Sequence, residues 1–434
     1  MPTALIDRFC SYLDSAPSPF HAARQAATAL NAQGYTRLDR QAEPEPLEPG
    51  HGYYTLEAGT LIAFRVGTAP AARAGFRIIA AHTDSPNLRI KPNPYENRHG
   101  IVRLGVEVYG GVLQATWADR DLGIAGRVAL RDGTTRLVHI QRPVCRIPNL
   151  AIHLQRTVNK DGLVLNAQTQ LSPMLSLSGK DKAPLHRMLA EEVGCAQGDL
   201  AAWDLNLFDL TGASVGGADG AFLSSGRLDN LASCHAGLEA LIGSSQGDAQ
   251  QPTAILGLFD HEEIGSQTTR GARSRVVEGI LRRILRDGPS GPEDLDRAMA
   301  NSWLLSADMA HAVHPGFADK HDKQHMPMLG AGPVIKRNAN WRYGTEADSA
   351  AMFVRLCEEQ EAPWQWFVNR SDLACGSTVG PILSANLGIR TVDAGNPMLS
   401  MHSARETCGA NDHAHMARVM QAFFAVAGPG GAGA

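Results

Sequence analysis

The amino-acid sequence predicts an α/β fold that is interrupted by a β-rich insert. Strand-like apolar runs alternate with helical stripes up to residue 87 and again from residue 225. Between them the pattern changes to short strand-like pieces separated by glycine turns. The alternation is typical of a sheet covered by helices, and we expect a mixed sheet in an α/β/α arrangement. We therefore predict one domain built from residues 1–87 and 225–434, with a second domain inserted over residues 88–224.

The first segment begins with two predicted helices. Apolar residues at helical spacing over residues 5–13 indicate the first helix, and the Ser- and Pro-rich run 15–19 ends it. Ser18 followed by Pro19 suits the start of a second helix over about 21–33, since proline is tolerated in the first turn. Two strand-like runs follow, over residues 60–66 and 76–81.

The insert is recognised by its turns. Gly110-Gly111 and Asp132-Gly133 separate short pieces, and residues 88–150 contain no ten-residue amphipathic helical pattern. The predicted strands there are 105–109, 126–130 and 136–140. Residues 180–200 are predicted to be helical, and the small-residue stretch 212–226 to lead back into the first domain.

The α/β alternation resumes after Arg227. Residues 228–242 carry an apolar stripe at helical spacing. Residues 253–259 form a nearly all-apolar run, as expected for a strand buried on both faces. The remaining predicted elements are helices over 276–285 and 413–426, and strands over 303–307, 364–368 and 389–392.

Composition excludes several classes of protein. The chain has 434 residues, of which 44% are hydrophobic, which suffices for a large core. No apolar run reaches the ~18 residues of a membrane span, and a net charge of −4 argues against nucleic-acid or anionic-membrane partners. The seven cysteines include no C-x-x-C pair, which predicts free thiols in a reducing compartment. Because no targeting segment is visible, we expect a cytoplasmic location.

Histidines and carboxylates occur in short segments after strand-like runs or at turns. The candidates are His82, Asp229, Glu263, Asp308 and His402. Open α/β sheets bind ligands at the carboxyl ends of their strands, and adjacent buried carboxylates are unfavourable unless a cation or partner is present. Two imidazoles and three carboxylates suit a pair of divalent metals roughly 3.5–4 Å apart. Asp229 is the candidate for the shared ligand, and the other four are candidates for terminal ligands.

Two further acidic residues are candidates for the chemistry. Asp84 lies two residues from His82 and is placed to orient its imidazole, as metal-binding histidines usually require. Glu262 precedes Glu263 and is the candidate for a general base that later acts as an acid toward a leaving amine.

Each of these segments has a simpler interpretation when it is taken alone. His82-x-Asp84 could arise by accident, Asp229-Asn230 could cap a helix, and Glu262-Glu263 could form a solvated turn. Only their combination favours a metal site. The other clustered histidines are interpreted as surface or core residues: His311, His314, His321, His325, His413 and His415.

Nine motifs in a fixed order carry a resemblance that covers essentially the whole chain. They are APSPFH (16–21), AAHTDSPNLRIKP (80–92), WADRDL (117–122), PNLAIH (148–153), RLDNL (227–231), DHEEIGS (260–266), SADMAHAVHP (306–315), GPVIK (332–336) and MHSARE (401–406). With these motifs the sequence resembles the aspartyl aminopeptidase family of dinuclear zinc metallopeptidases, in its bacterial type.

The resemblance implies the same five metal ligands, with Glu262 as the base. It implies two divalent ions per chain, with zinc as the first choice and cobalt or manganese as alternatives at one site. It further implies a zinc-exopeptidase catalytic domain with an inserted β-rich dimerisation domain, and assembly into tetrahedral homododecamers. The implied substrates are peptides with an acidic N-terminal residue.

An acidic substrate side chain requires a cationic partner. Lys336 is our candidate, Arg337 is a rival, and the alternative is that Lys336 extends to solvent. The resemblance also implies that His153 of the insert reaches a neighbouring subunit's active site. Three consecutive residues are predicted to line the substrate cleft with their backbone: Gly376, Ser377 and Thr378.

The predicted function is a metalloaminopeptidase that removes N-terminal Asp or Glu by dinuclear-metal-activated attack of water. A broad or neutral-specificity aminopeptidase, or a related deacylase, would use the same ligands. A non-catalytic assembly or binding protein on the same fold is the alternative of another class.

Overall fold

The computed structural model of the chain describes residues 3–177, 183–244, 251–286, 291 and 293–429. Within these ranges the helices are α1 Thr3–Ser15, α2 Pro19–Ala32, α3 Ala71–Ala74, α4 Val158–Asp161, α5 Pro184–Val193, α6 Leu228–Gly243, α7 Val276–Arg286, α8 Asp294–Ala300, α9 Ala347–Glu359, α10 Val379–Leu387 and α11 Ala410–Phe423. No helix among them has both the length and the apolar composition needed to cross a membrane.

The strands of the described ranges form three sheets. In chain order they are β1 Thr36–Arg37, β2 Gly52–Glu57, β3 Thr60–Arg65, β4 Phe76–His82, β5 Asn87–Arg98, β6 Ile101–Tyr109, β7 Leu122–Leu130, β8 Thr135–Cys145, β9 Met174–Leu177, β10 Leu200–Asp209, β11 Ser214–Gly216, β12 Phe222–Ser225, β13 Thr253–Phe259, β14 Trp303–Ala307, β15 Ala310–His311, β16 Val334–Arg337, β17 Gln365–Val368, β18 Arg390–Gly395, β19 Pro397–Leu399 and β20 Glu406–Gly409.

The largest sheet has nine strands in the order β1-β2-β3-β13-β4-β14-β18-β16-β17. Its central strands β13, β4, β14 and β18 are parallel, and every residue of β4, β13 and β14 is buried. Ile78 and Ile79 face opposite sides of the sheet and enter different hydrophobic clusters. One cluster packs against α1, α2, α6, α9 and α11, and the other packs against α7, α8 and α10. The predicted mixed-sheet α/β/α fold is thus confirmed.

The strand ends of this sheet determine where the polar candidates lie. The parallel strands β4, β13 and β14 have their carboxyl ends at the same edge. His82 is the last residue of β4, and Asp308 directly follows β14. Glu262 and Glu263 lie in a 3₁₀ turn just after β13. The sequence prediction that these three groups follow strands is confirmed.

The insert is built around a six-stranded antiparallel sheet in the order β8-β7-β10-β5-β6-β9. The helix predicted over 180–200 is confirmed as α5, Pro184–Val193, but it ends earlier than predicted; residues 180–182 lie outside the described ranges. Gly194 ends α5 in a left-handed conformation, and β10 begins at Leu200. The sequence analysis did not predict β5 or β10. The domain boundaries at 87/88 and 224/225 stay a prediction.

A third, five-stranded sheet has the order β11-β12-β20-β19-β15, and its strands β15 and β19 begin within three residues of the carboxyl ends of β14 and β18. The loop between β19 and β20 carries His402. All seven cysteines, each within the described ranges, are free thiols, which agrees with the sequence prediction.

Candidate metal centre

Five elements bring the candidate ligands together. His82 and Asp308 come from strand ends, Glu263 from the 3₁₀ turn, and His402 from the β19–β20 loop. Asp229 lies at the start of α6, where its own backbone is not helical (φ −83°, ψ 106°). The helix begins after Arg227 without any side-chain cap, so the interpretation of Asp229 as a helix cap is wrong.

The ligand candidates form two groups that share Asp229, and His82 and Glu263 also form a third group with Glu262. In the first, His82 Nε2 lies 3.4 Å from Asp229 Oδ1 and 3.7 Å from Asp308 Oδ1. In the second, His402 Nε2 lies 3.3 Å from Asp229 Oδ2 and 3.3 Å from Glu263 Oε1. The donor atoms within each group lie within 4.8 Å of one another. The two carboxylate oxygens of Asp229 therefore face different sets of donors.

The protein atoms alone leave this cluster unsatisfied. Asp229 Oδ1 is buried and has no hydrogen-bond partner among the described residues. Burial raises the pKa of Glu262 well above its usual value, and burial together with the charge of Asp229 raises the pKa of Glu263 to about 7. Burial opposes charge on His402, but its contacts with Asp229 and Glu263 outweigh burial and raise its pKa to about 11. Divalent cations would offset the unfavourable burial of these carboxylates, and the imidazole and carboxylate donors fit zinc.

Asp84 holds the turn that carries the two glutamates. Its carboxylate accepts the backbone N–H of Glu262 at 3.0 Å and that of Glu263 at 3.1 Å. It also accepts the hydroxyl of Tyr109 at 2.6 Å. His82 Nδ1 lies 2.9 Å from the backbone carbonyl of Asp84 and 3.6 Å from its Oδ1. The closest acceptor that orients this imidazole is thus the carbonyl rather than the carboxylate.

The sequence analysis gave no role to Glu406, Tyr109 or Gly111. Glu406 is buried and accepts the backbone N–H of Asp229 at 3.1 Å and that of His402 at 2.6 Å. Burial, with the charge of Asp229, raises the pKa of Glu406 to about 8. The carbonyl of Gly111 lies 3.0 Å from His402 Nδ1. Glu406 was visible in the MHSARE motif, but only the fold reveals these contacts.

A cavity of about 700 Å³ opens beside the ligand groups. Lys336 lines it and is only 2% exposed, so the alternative that this residue extends to solvent is wrong. Its Nζ donates to the carbonyl of Met309 at 3.1 Å and lies 3.6 Å from Asp308 Oδ2. Arg337 is exposed and does not line the cavity. His311, which was interpreted as a surface or core residue, also lines it.

The predicted cleft residues Gly376, Ser377 and Thr378 line the same cavity. Thr378 Oγ1 donates to Asp393 at 2.6 Å and accepts the N–H of Gly380 at the start of α10. A Cβ at Gly376 would meet no described protein atom within 4 Å, so packing within the protein does not require glycine there. His153 is exposed in the insert and lies outside the cavity lining.

Known proteins match this chain over its length. The family model of aminopeptidase I zinc metalloproteases (M18) matches residues 12–424. A probable M18 family aminopeptidase 2 of Ectopseudomonas mendocina is 46% identical over 433 residues, which is 98% of this chain and 99% of that protein. The structure solved by cryo-EM as the Ape4 and Nbr1 complex matches with a TM-score of 0.93 at 36% identity, over 97% of this chain and 85% of that one. The S. cerevisiae mApe1 dodecamer matches with a TM-score of 0.84 at 28% identity, over 96% of both chains.

Proposed function

Since the chain belongs to the M18 family of aminopeptidase I zinc metalloproteases and is a metalloaminopeptidase, we propose that it removes acidic N-terminal residues from peptides at a dinuclear metal centre. The observation that carries the dinuclear part is the position of Asp229, whose two oxygens face separate donor groups. The observation that supports the acidic preference is the buried ammonium of Lys336 in the cavity lining.

One ion would be held by His82, Asp229 and Asp308, and the other by Asp229, Glu263 and His402. Bound divalent ions, with zinc as the first choice, supply Lewis-acid polarisation of the scissile carbonyl and an activated water. Cobalt or manganese would suit the same nitrogen and oxygen donors at one of the sites.

Glu262 performs the proton transfers. Its side chain lines the cavity beside Glu263, and its backbone is fixed by Asp84. As general base it takes a proton from the attacking water, and as general acid it delivers that proton to the leaving amine. Asp84 keeps the turn in place by accepting both glutamate N–H groups, so the base and the neighbouring ligand hold a fixed separation.

Lys336 orients the acidic side chain of the substrate. A compact ammonium group in a buried position attracts a carboxylate strongly because little water screens the pair. Arg273 and Arg342 also line the cavity and add positive potential along the approach. Residues 376–378 line the same cavity and would contact the bound peptide.

Self-association belongs to the same proposal. A structurally similar protein is a dodecamer, and we propose that this chain forms a homo-oligomer of that size through its inserted domain, residues 88–224. Exposed apolar side chains next to His153 support a contact there: Leu150, Ile152 and Leu154. In the assembly, His153 would reach a neighbouring subunit's active site.

The test is hydrolysis of chromogenic aminoacyl substrates with Asp, Glu, Leu, Lys or Ala at the N-terminus, each with and without added Zn²⁺, Co²⁺ or Mn²⁺. We expect Asp and Glu to exceed the others by tenfold or more in kcat/KM, about 1.4 kcal/mol. Faster cleavage of neutral residues would reject the acidic preference and would favour broad specificity. One observation favours broad specificity: Asp308 Oδ2 lies 3.6 Å from Lys336 Nζ and offsets part of its positive charge.

A further inference from the structure

The end of strand β6 brings the inserted domain into contact with the candidate metal centre. Tyr109 is the last residue of β6, and Gly110 and Gly111 follow it. A Cβ at Gly110 would lie 3.1 Å from Glu263 Cβ, and one at Gly111 would lie 3.1 Å from His402 Nδ1. Gly110 also has a φ of +71°, which strongly favours glycine. The strand end is therefore packed against two ligand candidates.

Tyr109 forms the polar part of this contact. Its side chain is buried, and its hydroxyl donates to Asp84 Oδ2 at 2.6 Å. Asp84 is itself fully buried and has the N–H groups of Glu262 and Glu263 as its other donors. The guanidinium of Arg89, on the neighbouring strand β5, lies 3.8 Å from the centre of the Tyr109 ring and fixes its plane. The hydroxyl therefore has a well-defined position.

The same strand end reaches the second donor group. The carbonyl of Gly111 lies 3.0 Å from His402 Nδ1, as close as the carbonyl of Asp84 lies to His82 Nδ1 at 2.9 Å. Residues 109–111 of the insert thus touch one group directly through His402 and the other through Asp84. A hydrogen bond to the second nitrogen of a metal-binding imidazole fixes its tautomer and ring orientation.

We infer that Tyr109 is a positioning residue for the metal centre, acting through Asp84 on the turn that carries Glu262 and Glu263. Without the Tyr109 hydroxyl, the buried Oδ2 of Asp84 loses its shortest hydrogen bond. Asp84 then keeps only the two backbone N–H donors of the turn that carries Glu262 and Glu263. The inference rests on the proposed dinuclear centre, and it makes the inserted domain part of the active site rather than only an assembly surface.

The test compares Tyr109→Phe with Tyr54→Phe in the full-length protein. Tyr54 is also buried and donates to the amide oxygen of Asn31 at 2.9 Å, so its variant loses a tyrosine hydroxyl hydrogen bond outside the cavity lining. For Tyr109→Phe we expect zinc affinity, measured by chelator competition on the metal-free protein, to fall by about tenfold or more. We expect kcat on the aspartyl substrate to fall by about the same factor, with KM changed less than about threefold. Tyr54→Phe should change neither quantity.

Wild-type zinc affinity and wild-type kcat in Tyr109→Phe would overturn the inference. So would equal losses of thermal stability in both variants with no separate loss of zinc affinity, because the hydroxyl would then act only on the fold. The zinc measurement does not need a substrate. If the wild-type chain cleaves none of the aminoacyl substrates, the proposed function fails, whereas the role of Tyr109 is still decided by zinc binding.

Discussion

Replacing Glu262 with glutamine separates proton transfer from metal binding. The substitution keeps the side-chain volume and one oxygen but removes the proton-accepting carboxylate. The backbone N–H of residue 262 still donates to Asp84, so the turn keeps its anchor. Neither oxygen of Asp229 depends on Glu262 for its donor group, because those groups are completed by Asp308 and Glu263. We therefore expect the metal content to stay at the wild-type value.

The expected loss of activity follows from the role of the base. A positioned general acid–base group contributes about 10²–10⁴ in rate, which corresponds to roughly 2.7–5.5 kcal/mol in activation free energy. Because the same carboxylate serves both the attack and the departure of the amine, we expect the loss to lie toward the upper end. KM should change little, since the cavity keeps Lys336 and residues 376–378 in its lining.

The assay measures kcat and KM on an aspartyl chromogenic substrate, together with metal content by mass spectrometry after gel filtration. Glu278→Gln is the matched control, because Glu278 lies on α7 in an exposed pair with Arg282 and away from the cavity. Turnover above a tenth of the wild-type value would refute the base assignment. Loss of about one ion would show instead that Glu262 is a ligand, which its place in a group with His82 and Glu263 would permit.

Three further predictions concern other parts of the molecule. Asp229→Asn should lower the metal content from about two ions per chain to below one, because both donor groups share this carboxylate. Elemental analysis after dialysis measures the metal content. An unchanged content would contradict the shared-ligand role. Lys336→Met should raise KM for the aspartyl substrate by about tenfold, because the substitution removes the positive charge that would bind the acidic side chain. KM for the leucyl substrate should rise by less than about twofold. Equal changes in KM for the two substrates would exclude a role of Lys336 in specificity. Burial lowers the pKa of His235 to about 3 and that of His413 well below its usual value. Because unfolding lets them bind protons near pH 6.5, the contribution of these two histidines to the free energy of unfolding should be constant above that pH. It should fall below it by up to about 1.4 kcal/mol per pH unit for each group. Urea titrations between pH 7.5 and 4.5 measure this slope, and His413→Phe should reduce it.

The sequence predicted the central sheet well because its strands are buried on both faces. The runs at 76–81, 253–259 and 303–307 are mostly apolar, with Arg77, Thr253 and Ser306 as their polar members, and each is a strand of the parallel core. His82, Glu263 and Asp308 lie shortly after these runs, and it was their combination with Asp229 and His402 that favoured a metal site. The insert was harder, because β10 mixes polar and apolar residues and depends on its neighbours β5 and β7 for its conformation.

The contacts that support the ligands could not be predicted from the sequence. Gly111 and His402 are separated by 291 residues, and Glu406 reaches Asp229 across 177 residues. No local pattern indicates a hydrogen bond at such a separation. Lys336 shows the same limit, because its cationic charge was evident, whereas its contact with Asp308 appears only in the fold.

The spread of the ligand candidates along the chain decides when the centre can be completed during synthesis. They occupy positions 82, 229, 263, 308 and 402, and the whole insert is made between the first and the second. A nascent chain shorter than 402 residues lacks the His402 imidazole of one donor group, and the carbonyl of Gly111 then lacks its partner. Pairings between such distant residues form late because chain entropy opposes their closure. If the proposed dinuclear centre is required for cleavage, a chain gains activity only after His402 has been synthesised.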